Sequence, residues 1–482
     1  MVTEKSKLIW IYLISALYIA VNTLLFVNDF YWGALLPLVI FVAMVYFISL
    51  DKILLLITFV TPFAINIKDL DLGFGISLPS EPLMVGVLIF FLIKLIYDLS
   101  YDHRILRHPV TLAIFFNLIW LLFTSVTSEM PLVSFKFIVS RLWFIVPFYF
   151  MGILLFKKIK DIKLFLWLYI ISFSGVILYT IFNHSLRGFD EESGHWVMTP
   201  FYNDHTVYGA ILAMYIPILV GFSFLKKYKA GTKIIARFIL ALFLLAVVLS
   251  YGRAAWISLA GALGIYIVIL LKIKFRWLFL SVVVVFGLFF TFQQQIIENL
   301  ERNKQDSSAN FVEHIQSMSN ISSDASNLER INRWQSAIRM FNERPFWGQG
   351  PGTYQFLYAP YQRSKEKTII STNAGDMGNA HSEYIGPLAE SGVLGMVSLL
   401  LIFTMSIITA LKVYKNSNNR EVKMLSLVTL LGLLTYYMHG FLNNFLDSDK
   451  ASVPVWGFIA IIVALDIYYK DEAPINNGKQ KN

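Results

Sequence analysis

The stretch 233–272 reads KIIARFILALFLLAVVLSYGRAAWISLAGALGIYIVILLK and consists of two apolar runs joined by the short turn Tyr251-Gly252-Arg253. Each run has roughly the length that an α-helix needs to cross a hydrocarbon core of about 30 Å. Neither run alternates between polar and apolar residues, so the pattern excludes the strands of a transmembrane barrel. The stretch therefore predicts two consecutive transmembrane helices with a tight turn between them.

Similar apolar runs recur along the whole chain. Of its 482 residues, 57% are hydrophobic and only 15% are charged, whereas water-soluble domains typically contain about 25% charged residues. The predicted fold is an all-α integral membrane protein, a bundle of about 12–14 transmembrane helices with one large extracytoplasmic loop. The predicted spans are 8–27, 31–49, 52–67, 82–98, 109–127, 135–156, 164–182, 206–225, 233–250, 254–272, 276–294, 384–411, 424–442 and 453–469.

The spans divide the chain into four predicted parts. These are an N-terminal membrane bundle of about eleven spans at 1–294, a large outer loop at 295–383, about three C-terminal spans at 384–470 and a cytoplasmic tail at 471–482. Within the outer loop, Trp334, Ala337, Ile338 and Phe341 recur at helical spacing. They predict a helix near 329–343 of a kind that can lie on a membrane surface.

The distribution of Lys and Arg predicts the orientation. If the N-terminus is inside and the spans alternate, the basic residues concentrate in the inner segments, while the short outer segments hold Lys68, Arg187, Arg253 and Lys450. Cytoplasmic loops carry such an excess of basic residues, so both termini are expected inside and the long loop outside. The net charge of +9 follows from these loops and gives no indication of nucleic-acid binding.

Four arginines of the outer side are candidate anion ligands, namely Arg141, Arg253, Arg330 and Arg333. A guanidinium binds phosphate through paired hydrogen bonds. The alternative for Arg141 is an ion pair with a neighbouring side chain. The chain has no cysteine, which excludes disulfides and thiolate chemistry, and its histidines lack the compact spacing of a metal motif such as HExxH.

His381 begins the segment HSEYIGPLAESGVLG, in which nine residues separate Ser382 from a Gly-x-x-Gly pattern at Gly392 and Gly395. This pattern, placed where a long outer loop returns to the membrane, resembles the signature of the O-antigen ligase and polymerase superfamily. The glycines are expected to allow close helix packing and to hold the return point rigidly.

Three further stretches agree with this resemblance. The segment 329–355, ERINRWQSAIRMFNERPFWGQGPGTYQ, resembles the family's Arg-x-x-x-Trp helix and Gly-rich turn. The segment 250–256, SYGRAAW, resembles its turn between two spans, although Gly252 precedes the arginine here. The segment 201–217, FYNDHTVYGAILAMYIP, resembles a polar start of a span, with His205 where Asn is common. The resemblance covers roughly residues 200–460.

The resemblance implies a metal-independent glycosyltransferase of the bacterial inner (cytoplasmic) membrane that needs no cofactor. Its donor would be a glycan on undecaprenyl pyrophosphate, and its acceptor a sugar hydroxyl of lipid A core or of another lipid-linked glycan. Membrane lipids are the other expected partners, and nucleic acid is not one. His381 would be the general base, with a pH midpoint near the ordinary value of about 6.5. The residues implied in substrate binding are Arg253, Arg141, Arg330, Arg333, Asp204, His205, Ser382 and Glu383.

Several functions share this signature. An O-antigen ligase is the preferred prediction, a repeat-unit polymerase is the main alternative, and a protein O-glycosyltransferase has the same motifs. A transporter of lipid-linked oligosaccharides is the alternative from another class, but the chain lacks the internal repeats typical of transporters. The polar stretch 439–450, HGFLNNFLDSDK, is either an ordinary polar loop or a sugar-binding rim.

Overall fold

The computed structural model describes residues 4–29, 49–67, 75–98, 101–225, 228–273, 325–368 and 378–469, together with Gly33, Ile40, Tyr46 and Ser371. The chain divides into two compact units, residues 1–53 and 54–482. The predicted span 276–294, most of the predicted span 31–49, the start of the outer loop and the tail at 471–482 lie outside the described residues.

In the first unit, helix α1 spans Glu4–Val27 and carries a continuous apolar stretch from Tyr12 to Val27. It confirms a helix at the first predicted span.

The described part of the second unit is built almost entirely of helices. Helix α2, Leu50–Val60, begins in the first unit and ends in the second. The longer helices of the second unit are α3 Ser80–Asp98, α4 Pro109–Val126, α5 Pro131–Ile145, α6 Ile159–Ser185, α7 His205–Phe224, α8 Ala230–Leu249, α9 Arg253–Leu270, α10 Ala325–Glu343, α11 Ile385–Asn416, α12 Arg420–His439 and α13 Asp449–Tyr468. Short helical turns occupy His103–Leu106, Gly152–Leu155, Glu191–Gly194, Tyr354–Leu357, Thr61–Phe63, Ala359–Tyr361 and Ser364–Glu366, and a π-helical turn occupies Val146–Met151. The strands β1 (Ile65–Ile67) and β2 (Ile76–Leu78) form an antiparallel hairpin.

Ten helical segments in the described part of the chain are long and apolar enough to cross a membrane, which confirms an all-α integral membrane protein. They are Ser80–Tyr97, Pro109–Val126, Pro131–Leu155, Ile159–Ser185, His205–Phe224, Ala230–Leu249, Arg253–Leu270, Ile385–Asn416, Arg420–His439 and Asp449–Tyr468. Helices α7, α12 and α13 form the buried centre, since more than three quarters of each candidate span is covered by protein (78%, 78% and 83%).

The prediction of one continuous span at 52–67 was wrong. Helix α2 ends at Val60, Pro62 lies in a single 3-10 turn, and the chain then enters β1. Pro62 lacks a backbone N–H and disfavours the α-helical conformation of the residue before it, so the helix ends here. Lys450, only 7% exposed, stabilises this end, because its Nζ donates hydrogen bonds to the carbonyl oxygens of Thr61 and, at 2.7 Å, of Ala64. An ammonium that caps carbonyls in this way satisfies the backbone groups that an ending helix leaves without partners.

Helix α11 is interrupted at Gly392, whose backbone angles (φ 68°, ψ −169°) are not helical. The interruption frees carbonyl groups that the Gly-rich turn after α10 satisfies. Gln349 N–H donates to the Ala389 carbonyl at 3.0 Å, and Gly350 N–H donates to the Glu390 carbonyl at 2.7 Å. Gly392 therefore joins the outer loop to α11 by backbone contact, which differs from the helix packing expected from the sequence.

Helix α10 covers the predicted surface helix and packs against α11. The face that it buries in the protein is largely polar, with Asn332 and Ser336 beside Ala337 and Met340. In the predicted apolar stripe, Ile338 is 39% exposed. Contact of this exposed side with a membrane surface stays a prediction.

Candidate active site

His381 lies just before α11 in a backbone conformation that few side chains adopt, with φ at +48°. The Asn379 side-chain oxygen accepts the His381 N–H at 3.0 Å, and the Trp334 indole N–H donates to the His381 carbonyl at 3.4 Å. Left-handed non-glycine residues are uncommon, and they cluster at functional sites when the surrounding structure holds them. The backbone of His381 is held here from the outer loop and from α10.

Ser382 and Glu383 fasten this segment to the end of α12. The Ser382 hydroxyl is buried and accepts the N–H groups of Tyr384 and Ile385 at 3.3 and 3.4 Å. The Glu383 N–H donates to the Gly440 carbonyl at 2.8 Å. Residues 382 and 383 thus cap the start of α11 and tie it to the chain that leaves α12.

The Glu383 carboxylate organises the loop that follows α12. One of its oxygens accepts hydrogen bonds from the Tyr436 hydroxyl at 2.6 Å and from the N–H groups of Phe445 and Leu446 at 2.7 and 2.9 Å. Burial, and next the nearby Asp447, raise the pKa of Glu383 to about 7. With its oxygen occupied by protein donors, Glu383 is suited to positioning the loop 440–446.

Arg333 is locked in place inside the outer loop. Its side chain is 6% exposed, donates to Glu329 at 2.7 Å and to the Asn379 carbonyl at 3.1 Å, and lies over the Tyr358 ring at 4.9 Å. A side chain at Gly378 would place its Cβ 1.6 Å from an Arg333 guanidinium nitrogen. A larger residue at position 378 would therefore require the end of the Arg333 side chain to move.

Arg330 approaches the site one helical turn earlier, and its Nε donates to the Leu442 carbonyl at 3.3 Å. Burial, followed by the positive charges of Arg333 and Arg330, lowers the pKa of His381 to about 4. The pKa of His381 therefore differs from the ordinary value of about 6.5 expected from the sequence, because of burial and the two arginines. At neutral pH the imidazole is uncharged, which is the form that accepts a proton.

Asp204 and His205 lie at the start of α7. Asp204 caps this helix, accepting the N–H groups of Thr206 and Val207 at 2.7 and 3.2 Å. The His205 ring stacks on His195 with 4.2 Å between the ring centroids. Asp204 and Arg330 both act electrostatically on His205, so the start of α7 lies near Arg330.

Arg253 is the first residue of α9, after the turn in which Tyr251 has φ at +50°. A Cβ on Gly252 would lie 4.0 Å from the His205 carbonyl oxygen. The turn that carries Arg253 is therefore packed against the start of α7, as expected if both belong to one site.

Arg141 contacts a different part of this region. Its guanidinium forms a 2.9 Å ion pair with Asp447 and donates to the Leu446 carbonyl at 3.1 Å. The pairing that the sequence left as an alternative is therefore present. Arg141 holds the far end of the loop that Glu383 also binds.

The structure thus brings most of the predicted residues together around the loop 440–446. His381, Arg330, Arg333, Asp204 and His205 converge on one side, and Arg141 contacts the other end of the loop. Sequence reasoning did not single out His439 or His195. His439 is 2% exposed at the end of α12, where Arg330, Asp204 and His205 act on it. The polar density of 439–450 was the available signal, but it did not distinguish one histidine of the stretch.

Comparisons with known proteins agree with the geometry. A family model described as O-antigen ligase matches residues 238–400, a range that includes Arg253, Arg330, Arg333 and His381, and it confirms the resemblance found in the sequence. A Haemophilus influenzae protein described as uncharacterized is 22% identical over 242 residues, which make up 49% of this chain. The chain covers 58% of that relative's length.

Proposed function

We propose that this chain, which carries the domain of the O-antigen ligase family at residues 238–400, moves a glycan from undecaprenyl pyrophosphate to a sugar hydroxyl of lipid A core. The observation that carries the proposal is the position of His381 against the helix of Arg330 and Arg333, held by hydrogen bonds to Trp334 and Asn379, where its imidazole is uncharged at neutral pH. The imidazole can accept a proton from the acceptor hydroxyl, and the two guanidinium groups can stabilise the negative charge of the leaving diphosphate. Glycan transfer from a diphosphate requires both functions.

The proposed step is a substitution at the anomeric carbon of the donor sugar. His381 accepts the proton of the acceptor hydroxyl while its oxygen forms the new bond to the anomeric carbon. The bond between that carbon and the diphosphate oxygen breaks, and its electron pair leaves with the diphosphate. The proton stays on the imidazole until solvent removes it. General-base help of this kind contributes about 10²–10⁴-fold to a rate.

The arginines are proposed to divide the work by their contacts. Arg253 and Arg330 are assigned to the diphosphate, because both side chains are half-buried, whereas Arg333 is buried. Arg333 is engaged with Glu329 and Asn379, so it is assigned to holding the His381 segment and keeping its imidazole uncharged. Arg141 is assigned to the wall of the site, through its ion pair with Asp447.

The remaining predicted residues are proposed to shape the site. Asp204 and His205 would form its rim at the start of α7, and Ser382 and Glu383 would hold the His381 segment in place. Both pairs make the contacts this requires, through the α7 cap and the bond to Gly440.

A reconstitution with two acceptors tests the proposal. Purified protein would be supplied with a glycan on undecaprenyl pyrophosphate and with either lipid A core or a second lipid-linked repeat unit. We expect the glycan to appear on lipid A core. A ladder of lengthened lipid-linked glycans without transfer to lipid A core would instead assign the chain as a polymerase. Absence of transfer to both acceptors would contradict the proposed function.

The proposed topology places both termini in the cytoplasm and the long loop outside, and it can be tested by cysteine labelling because the native chain has no cysteine. Ser364 and Asn418 are both exposed. In intact spheroplasts, Ser364→Cys should react with a membrane-impermeant thiol reagent and Asn418→Cys should not. Both should react after lysis, which is the control for reactivity. Labelling of Asn418→Cys alone in intact spheroplasts would show that the orientation is the opposite of the proposed one.

Arg253→Lys is expected to reduce turnover substantially while the protein still folds. A lysine keeps the positive charge, but its ammonium group cannot reproduce the planar, bidentate contact of a guanidinium with phosphate. The measurement is kcat and KM for the lipid-linked donor, with Arg237→Lys, an exposed arginine of α8, as the matched control. Equal kinetics for Arg253→Lys and the control would reduce the role of Arg253 to charge alone, and full activity of Arg253→Ala would remove it from the mechanism.

A further inference from the structure

The end of helix α12 lies directly against the segment that carries His381. The Gly440 carbonyl accepts the Glu383 N–H at 2.8 Å and faces the Ser382 hydroxyl at 3.5 Å. His439 is the residue before Gly440, and Arg330 reaches the same loop through the Leu442 carbonyl. His439 therefore lies beside the candidate active site, and it has no role in the proposed transfer step.

The hydrogen bonds of His439 determine which ring nitrogen carries the hydrogen. The Asn443 amide nitrogen, which can only donate, lies 3.1 Å from His439 Nε2. Nε2 must therefore accept, and in the uncharged ring the hydrogen is on Nδ1. His439 Nδ1 is buried and has no hydrogen-bond partner among the described residues. The ring thus presents a buried N–H donor that the described protein atoms leave unsatisfied.

A buried acceptor of the same loop is also unsatisfied. Asn444 Oδ1 has no hydrogen-bond partner in the described part of the chain. A buried polar group without a partner costs about 1–3 kcal/mol, and such groups in native proteins need an explanation. The last residue of α12 thus holds a donor, and the loop after it holds an acceptor, that the described protein atoms leave without a partner.

We propose that His439 Nδ1–H and Asn444 Oδ1 bind hydroxyl groups of a sugar ring next to the bond that is transferred. A sugar hydroxyl donates and accepts, so it can satisfy both atoms. A diphosphate oxygen can accept from His439 but has no hydrogen to give to Asn444. The assignment of the ligand as a substrate glycan rests on the proposed function, whereas the hydroxyl-binding chemistry follows from the two atoms themselves.

Two substitutions of His439 separate ligand binding from a structural role. The side-chain amide of Asn reaches the Nδ1 position, and that of Gln reaches the Nε2 position. His439→Gln can keep the contact with Asn443 but loses the donor to the ligand, and we expect it to weaken binding of a glycan-bearing ligand about tenfold to a hundredfold. His439→Asn keeps the donor and should bind more tightly than His439→Gln. The opposite order would overturn the proposal and assign His439 to the support of Asn443.

The ligands are chosen so that the sugar and the diphosphate are distinguished. Affinity would be measured for undecaprenyl pyrophosphate without sugar, for the same lipid with its glycan, and for the acceptor glycan. We expect His439→Gln to weaken one of the two glycan-bearing ligands, which identifies the sugar concerned, and to leave the sugar-free lipid unchanged. An equal loss for the sugar-free lipid would overturn the sugar assignment.

Asn444 and a second buried histidine supply the matched variants. Asn444→Ala should weaken the same glycan-bearing ligand as His439→Gln does. His184 is buried, but its ring nitrogen is bonded to the Asp190 carbonyl at 2.8 Å, so His184→Gln should leave all three affinities unchanged. Glycan affinity retained in both His439→Gln and Asn444→Ala would overturn the subsite. Absence of glycan transfer by the wild-type protein would instead contradict the proposed function, and the two failures are therefore distinguishable.

Discussion

His381→Gln and His381→Asn are expected to abolish glycan transfer, with kcat lowered by about 10²–10⁴-fold, while affinity for the lipid-linked donor is retained. An amide forms hydrogen bonds but does not take up a proton, so both variants lose the base and keep the polarity. The Asn variant also suits the backbone, because asparagine tolerates the left-handed conformation that His381 adopts at φ +48°. The measurement is transfer by purified protein beside donor binding.

The control for this prediction is His103→Gln, which changes an exposed histidine far from the loop 440–446 in the chain and should leave transfer unchanged. A structural histidine would give another pattern, with loss of folded protein in both variants and partial activity in whatever remains folded. Turnover like that of the wild type in well-folded His381→Gln protein would exclude His381 as the general base.

The pH dependence of transfer gives a second test of the same base. A base acts when it is deprotonated, so the rate falls as the pH falls through its pKa. For free enzyme, reported by kcat/KM, the fall should be centred near pH 4, since burial and the charges of Arg333 and Arg330 lower the pKa of His381 to about 4. A bound diphosphate offsets those charges, so the midpoint in kcat should lie at higher pH. Coincident midpoints near 6.5 would contradict this electrostatic coupling.

Gly392→Ala is expected to remove most of the folded protein or to lower its melting temperature sharply. At φ 68° and ψ −169° the backbone occupies a region that is essentially restricted to glycine, at a cost of about 1–3 kcal/mol for other residues. A Cβ there would also lie 2.1 Å from the Phe346 carbonyl oxygen and 2.8 Å from that of Pro345. The Gly-rich turn after α10 would have to move away, and its backbone hydrogen bonds to Ala389 and Glu390 of α11 would be lost.

Gly264→Ala is the matched control, because a Cβ at this position in helix α9 meets no atom within 4 Å. Alanine is favoured over glycine inside a helix by about 1 kcal/mol, so this variant should be as stable as the wild type or slightly more so. Thermal unfolding in detergent compares the two variants directly. Equal melting temperatures would show that the interruption of α11 is not needed to hold the outer loop.

Local sequence patterns were sufficient to predict most of the described spans and to single out His381 as a candidate site residue. The runs that form α7, α8 and α9 were predicted to within a few residues, because the length and polarity of a membrane-spanning helix are properties of one continuous segment. His381 was singled out because its spacing from Ser382 and Gly392 resembles the signature of the O-antigen ligase and polymerase superfamily, and its catalytic role stays a proposal. Both inferences depend only on residues that are near each other in the chain.

Tertiary structure decided the features that depend on residues far apart in the chain. Pro62 is a local signal for the end of the third predicted helix, but the binding of the carbonyl groups at 61–64 by Lys450 could not be inferred from residues 52–67. The pKa of His381 depends on burial and on arginines of α10, and His439 reaches the site only because Gly440 bonds to residues 382 and 383. Hydrophobic periodicity carries no information about which distant side chains will meet. Those contacts are set when the helices pack, and with them the chemistry of the site.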